Sequence, residues 1–209
     1  MPMRWFVFLI FAVLLNAYDV TITNVNSDVA TLDKYVKKGV SGVVLCPYNG
    51  KNIICARAVC YGKKAKLLVY KELKNDAFAL PVVLPKKGDK ILLAKDYDRI
   101  LIIAPNQLEY LKMKEKYKNA TVISSDNFAA FLEGIPSREN FINFAKKLNI
   151  GRIIFVLDKI YEVDANSFYA VKKYGSINAK YKEIFFTTYP KFDIKGKNII
   201  AYYKSLIKE

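Results

Sequence analysis

The stretch DYDRILIIAP, residues 96–105, divides the chain into two halves of different character. Its central run, Ile100–Ala104, is entirely apolar and is bounded by charged residues and a proline. A short apolar run with such boundaries is typical of a strand buried on both faces. Short predicted strands and tight turns precede this run, whereas predicted strands and helices alternate after it.

The first half, residues 18–98, is predicted to be rich in β-strands. Its clearest signal is Asn49-Gly50 between two apolar runs, 41–48 and 52–61, because this dipeptide favours the tight turn of a β-hairpin. Further short strands follow at about ten-residue spacing, separated by glycine-containing turns. The pattern predicts a small barrel or sandwich, with Ile54, Ala56, Ala58 and Cys60 on its inner face.

The second half, residues 99–209, is predicted to be a small α/β unit. Helical patterns near 107–117, 128–132 and 137–148 alternate with the strand patterns near 100–104, 121–124 and 152–157. A further pair, 160–164 and 167–171, is predicted to form a hairpin. This order favours a mostly parallel central sheet, so the fold class of the whole chain is α+β.

The first 17 residues have the composition of a secretory signal peptide. Arg4 precedes an uninterrupted apolar run, Trp5–Leu15, and a small residue, Ala17, precedes polar sequence. We predict cleavage between Ala17 and Tyr18, export to the periplasm or cell surface, and at most a peripheral contact with membrane. An uncleaved membrane anchor or a buried strand are the alternatives.

The chain is strongly basic, with a formal net charge of +15. Arg4 is the only charged residue of segment 1–17, so +14 remains once that segment is removed. Such a charge allows contact with an anionic surface, although lysines scattered along the chain are also typical of an ordinary solvated surface. Arginines are few, and this argues against a sequence-specific nucleic-acid partner.

Histidine is absent from the sequence, which removes histidine general bases and histidine-ligated metal sites. Four aspartates stand near predicted strand ends, and we interpret them as solvated loop charges: Asp96, Asp98, Asp158 and Asp164. A carboxylate pair that binds a cation or acts in acid–base chemistry is the alternative. No catalytic, cofactor-binding or metal-binding residue is therefore predicted, and an enzyme is the least favoured class.

The three cysteines are interpreted in two ways. Cys46 and Cys55 lie on opposite arms of the predicted hairpin and could form a disulfide in an oxidising compartment. A two-residue turn would offset the pair, so two free thiols are the alternative. Cys60 has the other strand parity and is predicted to be a small core residue.

Six stretches in order resemble a known family: 40–45, 54–59, 84–90, 97–105, 150–156 and 161–168. Over about residues 38–175 the chain is similar to the amino-terminal domain of bacterial plasminogen-binding protein A (PgbA). The resemblance implies a secreted or surface-exposed protein that binds a host protein, with no catalytic residue set. Plasminogen kringles hold lysine ligands, so the resemblance implies contacts through lysines, which the sequence does not single out.

We therefore predict a cell-envelope protein without catalytic activity that binds another macromolecule, host plasminogen being the partner that the resemblance implies. The alternative is a periplasmic structural or assembly adaptor of an envelope machine, with an envelope protein as its partner. Exposure of the protein on intact cells would separate the two hypotheses.

Overall fold

A computed structural model describes residues 18–69, 83–188 and 198–209. The predicted signal peptide, residues 1–17, lies outside the described residues, and so does Ala17 of the predicted cleavage site. The described fold has two β-sheets and four helices, which confirms the α+β class and the β-rich first half.

The first sheet is a closed antiparallel barrel of five strands in the order β1-β2-β4-β3-β5. Closure follows from the pairing of the first strand with the last, for example Val20 with Ile91. The strands are β1 (Tyr18–Asn26), β2 (Val29–Val36), β3 (Ser41–Tyr48), β4 (Lys51–Val69) and β5 (Lys90–Leu93). A barrel, rather than a sandwich, is therefore the architecture of this half.

The hairpin between β3 and β4 has the predicted two-residue turn. Asn49 and Gly50 both have positive φ, 46° and 74°, as the tight turn favoured by Asn-Gly requires. Beyond the turn the register shifts, because Val44 pairs with Ala56 but Leu45 pairs with Ile54. This bulge reverses the strand parity, so the prediction of Ile54 as a core residue was wrong.

The second sheet has five strands in the order β10-β9-β8-β6-β7. Its strands are β6 (Arg99–Ile103), β7 (Thr121–Ile123), β8 (Arg152–Val156), β9 (Ile160–Asp164) and β10 (Ala170–Tyr174). The helices are α1 (Gln107–Lys116), α2 (Ser125–Phe131), α3 (Arg138–Leu148) and α4 (Ile199–Leu206). The second strand of the predicted hairpin, expected at residues 167–171, is β10 and begins at Ala170.

The prediction of a mostly parallel sheet was wrong, because the sheet is mixed. β6 is parallel to both β7 and β8, whereas β8 with β9 and β9 with β10 are antiparallel. Parallel neighbours need a crossover of a dozen or more residues. The connections 157–159 and 165–169 are too short for one, so the chain turns back as hairpins.

The central strand β6 is buried on both faces, as its apolar run predicts. Ile100 and Ile102 pack with Met113 of α1 on one face. Leu101 and Ile103 belong to the larger core on the other face, where phenylalanines of α2 and α3 cluster. The barrel strands all precede Asp98 and the sheet strands all follow it, while the proposed domain limits, 18–98 and 99–209, stay a prediction.

Candidate functional site

The two halves meet around the fully buried carboxylate of Asp164, at the end of β9. Its Oδ2 accepts hydrogen bonds from the Ser41 N–H (2.8 Å), the Ser41 hydroxyl (2.7 Å) and the Tyr97 hydroxyl (2.6 Å). Its Oδ1 accepts from the backbone N–H groups of Asn166 (3.0 Å) and Ser167 (2.8 Å). Five hydrogen-bond donors therefore compensate the free-energy cost of burying this carboxylate away from water.

Local sequence explains half of this arrangement. An aspartate that accepts from the backbone N–H groups two and three residues later forms an Asx turn, and here it reverses the chain between β9 and β10. Ser167 extends the junction, since its hydroxyl donates to the carbonyl of Gly39 (2.5 Å). The interpretation of Asp164 as a solvated loop charge was wrong, although the Asp-x-Asn-Ser pattern was a usable signal for the turn.

A small polar hollow opens above the buried carboxylate, between the barrel and the sheet. Its lining comes from both halves: Ser41, Gly42, Val43, Arg57, Lys95, Asp96, Asn149 and Asn166. Within it, Arg57 donates to the side-chain oxygen of Asn166 (3.1 Å), and the Asn166 amide donates to the Ser41 hydroxyl (3.2 Å). Hydrogen bonds thus connect the floor of the hollow to Asp164.

Two glycines allow the backbones to approach closely beside the hollow. A Cβ atom at Gly42 would lie 2.5 Å from the carbonyl oxygen of Leu92, and one at Gly151 would lie 2.2 Å from that of Asp96. Neither distance is compatible with a side chain. Gly151 is the more important of the two for the junction. Its backbone N–H donates a hydrogen bond to the Arg99 carbonyl of β6, and its carbonyl accepts one from the Ala165 N–H of the Asp164 turn.

Burial around Asp164 changes the acidity of its neighbours. Burial of the ring raises the pKa of Tyr97 well above its ordinary value, and the nearby Asp164 carboxylate raises it further. Burial also raises the pKa of the Cys60 thiol to about 12, with a smaller contribution from Asp164. Both groups therefore stay protonated at neutral pH, which keeps Tyr97 a donor to the carboxylate.

A second buried carboxylate, Glu162, lies on the same strand. Its Oε2 is 2.7 Å from the Arg152 guanidinium, and its Oε1 accepts from the Tyr117 hydroxyl (3.0 Å). Arg152 also donates to the carbonyl of Tyr97 (2.7 Å), so this ion pair is tied to the first cluster. Burial, followed by the hydrogen bond with Tyr174, raises the pKa of Tyr117.

The other aspartates of the sequence analysis remain apart from one another. Asp96 forms an ion pair with Lys95 (3.3 Å), and Asp98 is exposed. Asp158 is half-exposed and pairs with Lys204 of α4 (2.7 Å). The structure therefore brings neither Asp96 with Asp98 nor Asp158 with Asp164 into one acid–base pair.

The cysteines lie where a disulfide requires them. The Cα atoms of Cys46 and Cys55 are 5.8 Å apart, within the range of disulfides. The bulge in β4 removes the offset that a two-residue turn would impose, because it turns Cys55 toward the barrel core beside buried Cys46. The disulfide stays a prediction, and Cys60 is a buried thiol in the barrel core.

One side of the barrel carries a dense group of lysines, which we call the lysine ridge. Four residues of β2, 32–35, stand opposite the single residue Lys63 of β4, because Thr31 pairs with Lys64 and Val36 with Gly62. The ridge consists of exposed residues from this bulge and from the adjoining strand: Lys34, Tyr35, Lys37, Lys38, Tyr61, Lys63 and Lys64. No local pattern in the sequence indicates the ridge, since its two segments are separated along the chain.

The described residues contain neither a metal-binding group of side chains nor a helix that could span a membrane. In ranges 18–69, 83–188 and 198–209, no group of three or more cysteine, aspartate or glutamate side chains could hold a metal ion. Among the helices of those ranges, none has both the length and the apolar character needed to cross a membrane.

Comparison with known proteins gave one match. The model of a protein family described as plasminogen-binding protein pgbA N-terminal matches residues 17–205. Neither the curated proteins nor the solved structures contain a match to this chain.

Proposed function

The chain belongs to the family of the amino-terminal domain of plasminogen-binding protein pgbA, and on this premise we propose that it is an exported bacterial envelope protein that binds plasminogen through exposed lysines. The family name supports a binding protein rather than an enzyme and a location at the surface or outside the cell. The observation that carries the proposal is the extent of the match, residues 17–205, which includes almost the whole described fold.

The fold supports a binding role by presenting lysines on a rigid body. Asp164 joins the barrel and the sheet through buried hydrogen bonds. The Glu162–Arg152 ion pair within the sheet adjoins this junction, because Arg152 also donates to the Tyr97 carbonyl. Many lysine side chains around this body are exposed, on the lysine ridge, on α1 and on α3. An exposed ammonium group on a flexible stem is a suitable ligand for a partner site that binds free lysine.

The position of Tyr18 supports export with cleavage after Ala17. Tyr18 is the first residue of β1 and pairs with Leu93 of β5. Removal of residues 1–17 would therefore leave every strand of the barrel complete. Mass spectrometry of the protein purified from its own cells tests this, since a mature chain that starts at Tyr18 is expected.

Binding to immobilised plasminogen at physiological salt tests the proposed function. We expect the chain from Tyr18 to Glu209 to bind, and a free lysine analogue to abolish the binding. Sodium chloride at the same ionic strength as the analogue is the control, because it screens charge without occupying a lysine site. If sodium chloride removes the binding as completely as the lysine analogue does, the result would contradict recognition of lysines.

Charge-conserving variants locate the contact. Lysine-to-arginine changes keep the net charge but replace a compact ammonium with a planar guanidinium. One set changes three lysines of the ridge (K34R, K63R, K64R), and a matched set changes three exposed lysines of the helical half (K114R, K118R, K146R). If only one set of variants loses binding, the contact lies in that set. If both sets bind as well as the unchanged chain, the contact lies elsewhere on the chain.

Protease treatment of intact cells tests the location. Digestion of the protein without cell lysis is expected if it binds a host protein at the surface. Protection until the outer envelope is opened would instead favour the periplasmic adaptor.

A further inference from the structure

We propose that the lysine ridge is a docking surface for an anionic lipid bilayer. This inference goes beyond plasminogen binding and does not rest on it. Its starting point is the β2 bulge, where the ladder with β4 is interrupted and Lys34 and Tyr35 are exposed. Bulges of this kind redirect side chains away from the sheet.

Tyr35 is the feature that an ordinary solvated surface does not explain. Its side chain is 76 % exposed, the largest value among the big hydrophobic residues of the described chain. The ring lies across Gly62, where a Cβ atom would be only 3.2 Å from it. With Tyr61, which is 39 % exposed, it offers two amphipathic rings of the type that sits at the headgroup level of membranes.

The charge of the ridge is almost entirely of one sign. Five lysines share this surface with Asp33 from the same bulge. Lys37 donates to the Val171 carbonyl and Lys38 to the main-chain oxygen of Glu209, whose side chain pairs with Lys173, so Lys34, Lys63 and Lys64 are the members that face a partner most directly. A cluster of four to eight basic residues is the composition that attracts anionic lipid headgroups. Because all five are lysines, the ridge offers point charges rather than the bidentate forks that recognise a defined phosphate or base.

The position of the ridge favours a flat partner. Its side chains are exposed, and the polar hollow of the junction is lined by none of its residues. Tight protein partners insert anchor residues into pockets, whereas a bilayer needs only a projecting surface of charge and aromatic rings. An acidic protein or a nucleic acid is therefore the less suitable occupant.

The course of the chain places the start of β1 beside the ridge. The Thr21 N–H donates to the Asp33 carboxylate (2.8 Å), so residues 18–20 run next to the bulge of antiparallel β2. In the sequence, the apolar run Trp5–Leu15 ends only shortly before Tyr18.

The test is co-sedimentation with lipid vesicles of the chain from Tyr18 to Glu209, which holds every described strand and helix but lacks the apolar run. We expect binding to vesicles with roughly one third phosphatidylglycerol and none to pure phosphatidylcholine. The variant K34Q/K63Q/K64Q should weaken partitioning about a hundred-fold, because each lysine near an anionic surface contributes about five-fold.

A matched control keeps the test specific. The variant K86Q/K87Q/K146Q removes the same charge from exposed lysines outside the ridge, and it should weaken partitioning by less than about three-fold. Equal losses in the two variants would show diffuse attraction of a basic protein and would overturn the proposal. Equal binding to neutral vesicles would overturn it too.

Tyr35 gives a readout that does not depend on the charge of the ridge. At roughly 0.5 M sodium chloride, screening reduces the lysine contribution, and the weaker binding to anionic vesicles that persists should fall further in Tyr35→Ser. If Tyr35→Ser retains that binding, or if soluble polyphosphate binds the ridge while vesicles do not, the surface is not a membrane site. Circular dichroism of each variant establishes that the fold is retained.

Discussion

The hydroxyl of Tyr97 donates a 2.6 Å hydrogen bond to Oδ2 of Asp164 across the junction of the two halves. Tyr97 stands in the turn before β6, and Asp164 ends β9, 67 positions later. Ser41, from the barrel strand β3, donates to the same oxygen atom. A single carboxylate oxygen therefore links the barrel, the turn between the halves and the sheet.

Removal of the Tyr97 hydroxyl is expected to destabilise the protein. Tyr97→Phe keeps the ring but deletes a buried hydrogen bond to a carboxylate, so the free energy of unfolding should fall by about 1.5–3 kcal/mol. Urea denaturation measures it. Tyr48→Phe is the control, since Tyr48 is 41 % exposed and its change should stay within about 0.5 kcal/mol. Equal effects in the two variants would contradict the role of the junction bond.

Gly151→Ala should be among the most destabilising small substitutions in the chain. The new Cβ would lie 2.2 Å from the carbonyl oxygen of Asp96, and relief of that clash would separate the backbones at the junction. We expect a loss of about 3 kcal/mol or more in thermal or urea unfolding. Gly134→Ala, whose Cβ meets nothing within 4 Å, should be neutral or stabilising by up to about 1 kcal/mol.

The cysteine prediction has a direct chemical test. Alkylation of the exported, unreduced protein in denaturant should label Cys60 alone, because Cys46 and Cys55 are expected to be joined. Cys46→Ala should cost about 2.5 kcal/mol, the chain-entropy value for a loop closed by residues nine apart. Labelling of all three cysteines by mass spectrometry would instead favour free thiols.

Stability should fall at alkaline pH through Cys60. The folded state holds the thiol proton up to a pKa of about 12 because the group is buried, whereas the unfolded chain releases it near 9.0. The folded state then binds more protons above pH 9, so the free energy of unfolding decreases as pH rises. This contribution is fully present below about pH 9 and is lost between about pH 9 and 12.

Unfolding at two pH values isolates the Cys60 contribution. Between about pH 8 and pH 10, ionisation of Cys60 should lower the free energy of unfolding by about 1.4 kcal/mol. Cys60→Ala should remove this part of the slope, whatever its effect on stability at neutral pH. The difference between the two proteins reports Cys60 together with its small effect on the pKa of Tyr18 and Tyr61, so identical slopes in wild type and Cys60→Ala would refute the assignment.

Local patterns predicted the elements of the fold well. The apolar run of residues 100–104 indicated the doubly buried β6, and Asn49-Gly50 indicated the hairpin turn with both residues at positive φ. The helical pattern near 107–117 indicated α1, which begins after Asn106, whose side chain accepts from the Glu109 N–H. These features depend on residues that are neighbours in sequence, and this makes them readable without tertiary contacts.

The same reasoning failed where partners are distant in sequence. The predicted strand direction in the second sheet was wrong. Helices that alternate with strands suggested crossovers, whereas the connections after β8 and β9 contain too few residues for a crossover. Ile54 was wrong because a bulge, which no periodicity signals, reversed the parity of β4. The ridge was missed because the β2 bulge and Lys63 come together only through pairing of β2 with β4.

The sequence by itself determined the α+β class, the β-rich first half, most strand and helix positions and the family, since each depends on local pattern or on motif order. Tertiary structure alone decided that Asp164 is buried and that Tyr35 stands exposed on the ridge. The physical reason is that desolvation and hydrogen bonding depend on what surrounds a side chain in space. Both aspartate and tyrosine occur at the surface and in the interior, so only their surroundings decide which role each takes.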